Sequence, residues 1–264
     1  MHKTLYTPTM IETYKTCTRA YDLAFLRTMP GPDKLGVVLK HFVLRGLAEI
    51  NKGKITTLQQ VQKYMGQHWP LEKVGDNKDG STKAFLFAYK TLTKYVNRPY
   101  AAAQAKVVGV ALKVRARVPH LQVYLEDTLD LVLWHPEEKT LEFVDFQIQP
   151  VKASDPAWPS ASTLVKKYLA EKLQTRWPFE KLILNTQRVG PQDYTPIPVQ
   201  IDETIYRLHW FDIVNTLAQI KAFENSEVPE DEADHNKRCR HCQIIEERYS
   251  DATYDSPLIV SMTA

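Results

Sequence analysis

Apolar residues in the first part of the chain recur at the spacing of α-helices. Over residues 8–28 these positions are Met10, Ile11, Tyr14, Cys17, Tyr21, Ala24 and Phe25. Prolines and a glycine at residues 30–32 end this predicted helix. Further helices are predicted over residues 33–50, 58–68 and 81–95.

From residue 106 the pattern changes to the β-branched composition and partial alternation of strands. Strands are predicted over residues 107–118, 121–134, 140–149, 181–185 and 197–201. A helix over 160–176 precedes the fourth strand, and a long helix over 202–224 follows the fifth. This order predicts an α/β fold with a mixed β-sheet core flanked by helices and with an N-terminal helical segment.

Hydrophobic residues make up 44% of the 264 residues, which is enough for one sizeable core. We therefore predict one domain over residues 1–249, followed by a tail over residues 250–264. Three parts are expected within the domain. They are a helical part over about 33–104, a sheet core over about 105–201, and the last helix with a cysteine pair over 202–249.

Charge and cysteine content indicate which partners and which cellular compartment to expect for the chain. A formal net charge of +3 permits a nucleic-acid partner without requiring one. No apolar run has the length of a signal peptide or a membrane span, so no membrane partner is expected. Three cysteines are too few for a disulfide scaffold and indicate a reducing compartment. We therefore expect a cytoplasmic protein.

Residues 125–149 predict an acidic β-hairpin. If its turn consists of residues 136–139, Asp130 lies directly opposite Asp145. Opposed Cβ atoms are about 4.5–5.5 Å apart, so the two carboxylates repel each other unless a divalent cation such as Mg²⁺ or Mn²⁺ binds between them. Gln147 shares their face of the hairpin. The alternative is that both aspartates face solvent, although their neighbours along each strand are mostly apolar.

Short motifs along the chain resemble those of one nuclease family, in type and in order. They are residues 9–21 with Cys17 and Tyr21, His41, the hairpin segments Asp127–Asp130 and Val144–Gln147, Tyr168, and Cys239 with Cys242. Together they resemble the motifs of RecB-like members of the PD-(D/E)XK nuclease superfamily, which include CRISPR-associated RecB-type exonucleases. The resemblance covers about residues 9–242.

The resemblance implies a restriction-endonuclease-like fold and a DNA nuclease that depends on Mg²⁺ or Mn²⁺. The implied metal ligands are His41, Asp130 and Asp145, and the implied catalytic residues are Asp130, Asp145 and Gln147. The reaction would be metal-assisted hydrolysis of phosphodiester bonds in DNA repair, recombination or CRISPR-related processing. DNA is the expected partner, together with proteins of a repair or CRISPR complex.

Three residues depart from the family's pattern. Gln147 replaces a lysine that helps to activate water, Leu164 replaces a glutamine of the helical motif, and Asp127 replaces a glycine. A positive charge from elsewhere would have to replace the lysine, with candidates at Lys152, Lys166 and Lys167. The departures leave open an alternative function, in which a catalytically inactive nuclease fold serves as a DNA-binding or scaffolding subunit of a larger complex.

The three cysteines, Cys17, Cys239 and Cys242, are similar to three of the four that hold a [4Fe-4S] cluster in that family. The chain has no fourth cysteine, and His235 and His241 are the nearest substitutes. Three interpretations stay open: an iron–sulfur cluster with one non-cysteine ligand, a Zn²⁺ ion with Cys₃His ligation, and reduced cysteines that hold no metal.

Basic residues around the predicted site are candidate contacts to DNA phosphates. They are Lys113, Arg115 and Arg117 on one face of the first long strand, and Lys152 and Lys167 after the hairpin. Tyr168 is a further candidate because it resembles the tyrosine of the family's helical motif. The alternatives are a solvated outer face for the basic residues and a half-buried helix position for Tyr168.

Overall fold

A computed structural model describes residues 5–27, 35–70, 78–100, 105–148, 160–192, 197–199, 201–226 and 242. These residues form two compact units. The larger unit contains the described residues of 5–8 and 35–213, and the smaller unit those of 9–27 and 214–242. One domain can contain two such units, so the single domain over residues 1–249 stays a prediction. The predicted tail over 250–264 lies outside the described residues.

Six strands of the larger unit form one mixed sheet. They are β1 (Leu5–Tyr6), β2 (Lys106–Val118), β3 (Val123–His135), β4 (Thr140–Gln147), β5 (Lys181–Arg188) and β6 (Ile197–Pro198). Strand β3 pairs antiparallel with β2 and β4 and parallel with β1, while β5 pairs parallel with β4 and antiparallel with β6. This mixed sheet with flanking helices confirms the predicted α/β class.

The helices follow the predicted order. They are α1 (Pro8–Thr16), α2 (Thr18–Tyr21), α3 (Leu35–Asn51), α4 (Leu58–His68), α5 (Lys78–Asn97), α6 (Ala161–Lys172) and α7 (Glu203–Glu224), with a π-helical turn over Asp22–Leu26. The first predicted helix is divided at Cys17, whose backbone is extended. Its Sγ accepts a hydrogen bond of 3.3 Å from the amide of Ala20 and so caps α2.

Strand lengths differ from the prediction near the edge of the sheet. Strand β5 continues to Arg188 because all eight of its residues pair with β4. Strand β6 has two residues instead of the predicted five, and β1 was not predicted because two residues show no periodicity. The predicted helix over 160–176 ends at Lys172.

The hairpin has the predicted register. Leu131 pairs with Val144 and His135 pairs with Thr140, as a turn over residues 136–139 requires. The Cα ladder between β3 and β4 ends at Leu131 and Val144, so Asp130 and Asp145 are the next residues beyond it.

One face of the sheet packs against α3, α4 and α5 in the main hydrophobic core. The sheet contributes Leu131, Leu133, Val144 and Phe146, and Ile148 follows directly after β4. The helices contribute Phe42, Val43, Leu47, Tyr64 and Leu92 among others. Helix α6 contacts β2, β3 and β5 and buries Leu164, Val165 and Leu169. Its buried face also includes Lys166, which is 8% exposed.

Helices α3 and α5 approach closely at Gly46. A Cβ atom there would lie 2.7 Å from Cδ2 of the fully buried Leu92. We expect Gly46→Ala to lower the free energy of unfolding by about 1–3 kcal/mol, because it overpacks the core. Gly66→Ala on α4, where nothing lies within 4 Å, should raise it by up to about 1 kcal/mol through helix propensity. Urea unfolding measures the free energy of unfolding of both variants, and an equal change in the two would contradict the packing argument.

The smaller unit contains an aromatic cluster and a buried pair of cysteines. The rings of Tyr14, Tyr21 and Phe223 meet edge to face, with centroids 5.5–6.4 Å apart. Cys17 and Cys242 are buried in one small apolar cluster. Among the helices that the structure describes, none combines the length and the hydropathy needed to cross a membrane.

Candidate functional site

Asp130 and Asp145 lie on the same face of the hairpin, directly beyond the β3–β4 ladder. Oδ2 of Asp130 accepts a hydrogen bond of 2.9 Å from the backbone amide of Phe146. This bond links the two strands where their regular pairing ends and fixes the Asp130 carboxylate next to β4. The structure therefore brings together the two aspartates that the hairpin register predicts.

Lys166 of α6 supplies a positive charge to this pair. Its Nζ donates a short hydrogen bond to Oδ1 of Asp145 and lies 4.0 Å from Oδ2 of Asp127. Burial disfavours the charged form, but the charges of Asp145, Asp127 and Asp130 outweigh that effect and raise the pKa of Lys166. The ammonium group is therefore held in its charged form among three carboxylates.

Asp127 is a member of this cluster that the sequence did not single out as a functional residue. Its Oδ1 accepts a hydrogen bond of 2.8 Å from the amide of Thr128, and its Oδ2 accepts one of 3.0 Å from the hydroxyl of Ser162 on α6. Burial raises the pKa of Asp127, and the charge of Lys166 opposes that rise. Asp127 and Ser162 thus connect β3 to the helix that carries Lys166.

The sheet departs from regular pairing and backbone geometry close to the acidic residues. Strict alternation puts Asp127 and Asp130 on opposite faces of β3, yet the charge of Lys166 acts on both. The β2–β3 ladder has no pair opposite Asp130, where Ala111 of β2 has a φ of 48° in the left-handed region. The strand pattern of the sequence therefore does not by itself place Asp127 beside Lys166.

The pKa of Asp130 lies well above its ordinary value. Burial raises its pKa to about 6, and the neighbouring charge of Asp145 adds to the rise. The hydrogen bond from Phe146 and the positive charges of Lys166 and Lys40 oppose it. Near neutral pH, the ionised carboxylate is thus less stable than an exposed one, and a further cation beside it would relieve this cost.

The implied active site also includes His41 and Gln147, whose surroundings differ. His41 is exposed on α3, and the residue of α3 whose charge acts on Asp130 is its neighbour Lys40. In the described ranges, no three His, Cys, Asp or Glu side chains form a group that could hold a metal ion. The predicted set of His41, Asp130 and Asp145 is therefore not assembled as three ligands. Gln147 lies on the acidic face and is half-buried.

Tyr168 and Lys167 of α6 are engaged with α7 and β2. The hydroxyl of Tyr168 donates a hydrogen bond of 2.7 Å to the carbonyl of Arg117, and its ring stacks on Trp210 at 4.3 Å. Tyr168 is 6% exposed and packs in this arrangement, and its predicted contact to DNA stays a prediction. Nζ of Lys167 lies 2.8 Å from Oε2 of Glu203.

The basic residues of β2 lie on one exposed face. Lys113, Arg115 and Arg117 are exposed and alternate with buried residues along the strand. Arg115 donates a hydrogen bond of 2.9 Å to Glu126 of β3. Contact of this face with DNA stays a prediction, and Lys152 lies outside the described residues.

Two of the three cysteines meet in the smaller unit. The Sγ atoms of Cys17 and Cys242 lie 3.5 Å apart although 225 positions separate them in the sequence. Both are buried, and no disulfide joins them. The third cysteine, Cys239, and the substitute ligands His235 and His241 lie outside the described residues.

Comparison with solved structures finds a similar fold in a nuclease candidate. The crystal structure of a protein from Eubacterium rectale, described as a "putative exonuclease", matches with a TM-score of 0.54 over 99% of this chain and 93% of that chain. The two sequences are 11% identical, so the likeness concerns the fold. Comparisons with family models and with curated protein sequences give no match. The chain thus has a nuclease-like α/β fold.

Proposed function

We propose that this chain is a Mg²⁺- or Mn²⁺-dependent deoxyribonuclease of the RecB-like PD-(D/E)XK type, acting on DNA ends or single strands. The observation that carries the proposal is the ammonium group of Lys166 on Asp145, beside the partly buried Asp130. Two carboxylates and a lysine are the groups that this chemistry needs, and here α6 supplies the lysine that β4 lacks. The fold shared with the described exonuclease supports the proposal.

The two aspartates suit a magnesium ion. Mg²⁺ in enzymes of phosphate chemistry binds through one or two carboxylates and completes its shell with water and substrate phosphate, so a third protein ligand is not required. Asp130 and Asp145 would hold the ion, and the raised pKa of Asp130 indicates a carboxylate that gains from a cation. When bound, the ion would lower the pKa of a coordinated water and offset charge on the phosphate.

Lys166 would stabilise the negative charge that develops on the phosphate oxygens during attack. A cation that is already held in a partly buried site stabilises this charge without a further free-energy cost for reorienting the surrounding groups. The Ser162–Asp127 hydrogen bond and the capping of α6 by Ser160 hold the helix that carries the lysine. Gln147, on the same face, would donate or accept a hydrogen bond without carrying charge.

The second candidate function is a catalytically silent nuclease fold that binds DNA or scaffolds a larger complex. Two observations favour it. Lys166 already pairs with Asp145 and could replace the metal ion as the partner of the acidic face. Leu164, in the place of the family's glutamine, is 3% exposed and belongs to the packing of α6. A protein that kept the fold and lost the chemistry would have both features.

A cleavage assay separates the two functions. The purified chain is incubated with single- and double-stranded DNA in Mg²⁺, in Mn²⁺ and in EDTA, and binding to the same DNA is measured in EDTA. Metal-dependent products support the deoxyribonuclease. Tight binding without products supports the silent fold. A rise in melting temperature with Mn²⁺ that Asp130→Asn abolishes would show metal binding independently of cleavage.

We also propose that the cysteines hold a metal ion or an iron–sulfur cluster. Thiolates at about 2.3 Å from a tetrahedral zinc ion are separated by about 3.8 Å, and the Sγ atoms of Cys17 and Cys242 lie 3.5 Å apart. The amide of Ala20 donates a hydrogen bond of 3.3 Å to Sγ of Cys17 at the start of α2. Cys239 would be the third ligand.

Metal analysis tests this cysteine site. Anaerobically purified protein is expected to contain iron with visible absorbance, or zinc without it, in amounts that Cys17→Ser lowers. Protein without either metal would contradict the proposal and favour reduced cysteines. We also propose partners in a repair or CRISPR complex, which the family resemblance implies, and a cytoplasmic location, which the low cysteine count indicates.

A further inference from the structure

Arg188 ends β5 on the sheet face that carries the acidic residues. In the parallel ladder of β4 and β5, Asp145 pairs with Thr186 and Gln147 pairs with Arg188. Paired residues of a parallel ladder point to the same face, so Arg188 shares a face with Asp145 and Gln147. From strand spacing and rise, the Cβ atoms of Arg188 and Asp145 are roughly 8 Å apart.

The guanidinium group of Arg188 has donor capacity that the described residues leave unused. Its Nε is buried and has no hydrogen-bond partner in the described part of the chain. A buried N–H without an acceptor is unfavourable, and arginine presents its donors in a planar fork that matches two oxygens of a phosphate. The group is therefore suited to an anionic ligand with at least two acceptor oxygens.

The acidic cluster has an excess of negative charge that a nearby cation would offset. Asp127, Asp130 and Asp145 outnumber Lys166, so the fully ionised cluster has a net negative charge and repels a phosphodiester. A metal ion would remove part of that repulsion, and a second cation at the rim would remove more. Gln147 is neutral and places no competing charge beside Arg188.

We propose that Arg188 binds a phosphate of the DNA strand at this site, through hydrogen bonds from its guanidinium group to the non-bridging oxygens. The inference rests on the proposed function, because it takes DNA as the ligand. It assigns substrate positioning to β5, a strand that carries none of the motifs on which the family resemblance depends.

The test measures binding without cleavage. Anisotropy of a labelled single-stranded oligonucleotide in EDTA gives the Kd at several salt concentrations for the wild type, Arg188→Gln and Arg188→Lys. The matched control is Arg176→Gln, an exposed arginine before the other end of β5. Arg188→Gln is expected to weaken binding at least tenfold and to reduce the slope of log K against log salt by about 1. Arg188→Lys should recover part of the loss, and Arg176→Gln should match the wild type.

The outcomes separate this inference from the proposed function. If the wild type cleaves DNA and Arg188→Gln binds like Arg176→Gln, the role of Arg188 is wrong and the nuclease stands. If the wild type binds without cleaving and Arg188→Gln weakens binding, the role of Arg188 stands and the nuclease activity is wrong. If the wild type neither binds nor cleaves, both are wrong. Melting temperatures check that each variant is folded, and an Arg188→Lys variant that is folded but binds no better than Arg188→Gln would contradict a charge-mediated contact.

Discussion

Lys166→Met is expected to lose about 3 kcal/mol of unfolding free energy at pH 7.5 and to reduce DNA cleavage by about 10²–10³-fold. The side chain is 8% exposed, and its ammonium group pairs with Asp145 near Asp127. Methionine keeps the packing volume but leaves partly buried carboxylates without their cation. Because burial raises the pKa of Asp127 and Asp130, these two carboxyl groups become neutral as the pH falls, and the loss of stability should shrink towards pH 4.

Urea unfolding at pH 7.5 and pH 4 measures the stability effect of Lys166→Met, and cleavage of labelled DNA measures the effect on activity. Lys172→Met is the matched control, since Lys172 is an exposed lysine of the same helix. An equal loss of stability at both pH values would assign the effect to packing instead of charge. A folded variant that cleaves at the wild-type rate would remove Lys166 from the active site.

Asp130→Asn is expected to stabilise the protein at neutral pH in the absence of divalent metal. The pKa of Asp130 is about 6 in the folded protein and close to 3.8 in the unfolded chain, so the folded state binds the proton more tightly. Wild-type stability therefore falls as pH rises from about 3.8 to about 6, by up to about 3 kcal/mol. Asparagine cannot ionise, and its amide oxygen can still accept the hydrogen bond from Phe146.

The difference in the free energy of unfolding between Asp130→Asn and the wild type should thus be small near pH 3.5 and reach about 2–3 kcal/mol above pH 6. Urea unfolding across this range measures it, with Glu137→Gln in the exposed hairpin turn as a control that should show no such difference. Mn²⁺ should reduce the gap by stabilising the wild type alone. A constant difference across the pH range would contradict the shifted ionisation of Asp130.

The hairpin could be predicted from the sequence because its determinants are local. A two-residue period on both strands and a four-residue turn leave one register, which the pairing of Leu131 with Val144 confirms. The α/β class followed from the order of helical and strand-like segments. Strand β1 and the break in the first helix at Cys17 could not be predicted, because a two-residue strand and a single extended residue carry no periodic signal.

The rest of the site depends on contacts between distant segments. Lys166 and Lys167 are adjacent in the sequence, and only the packing of α6 determines that the first meets Asp145 and the second meets Glu203. Asp127 joins the cluster through its contacts with Ser162 and Lys166 of α6, which the strand pattern does not show. The sequence alone does not distinguish Arg188 from the other basic residues. Its pairing with Gln147 in the structure shows which face of the sheet it occupies.

The rate of metal-dependent cleavage of single-stranded DNA under single-turnover conditions tests the central claim most directly. The wild type, Asp145→Asn and the exposed control Glu137→Gln are compared in Mg²⁺ and in EDTA, after unfolding curves establish that all are folded. We expect cleavage by the wild type and the control in Mg²⁺ only, and a loss of at least 10²-fold in Asp145→Asn. Wild-type protein that binds the DNA without cleaving it, or Asp145→Asn that cleaves at the wild-type rate, would contradict the account.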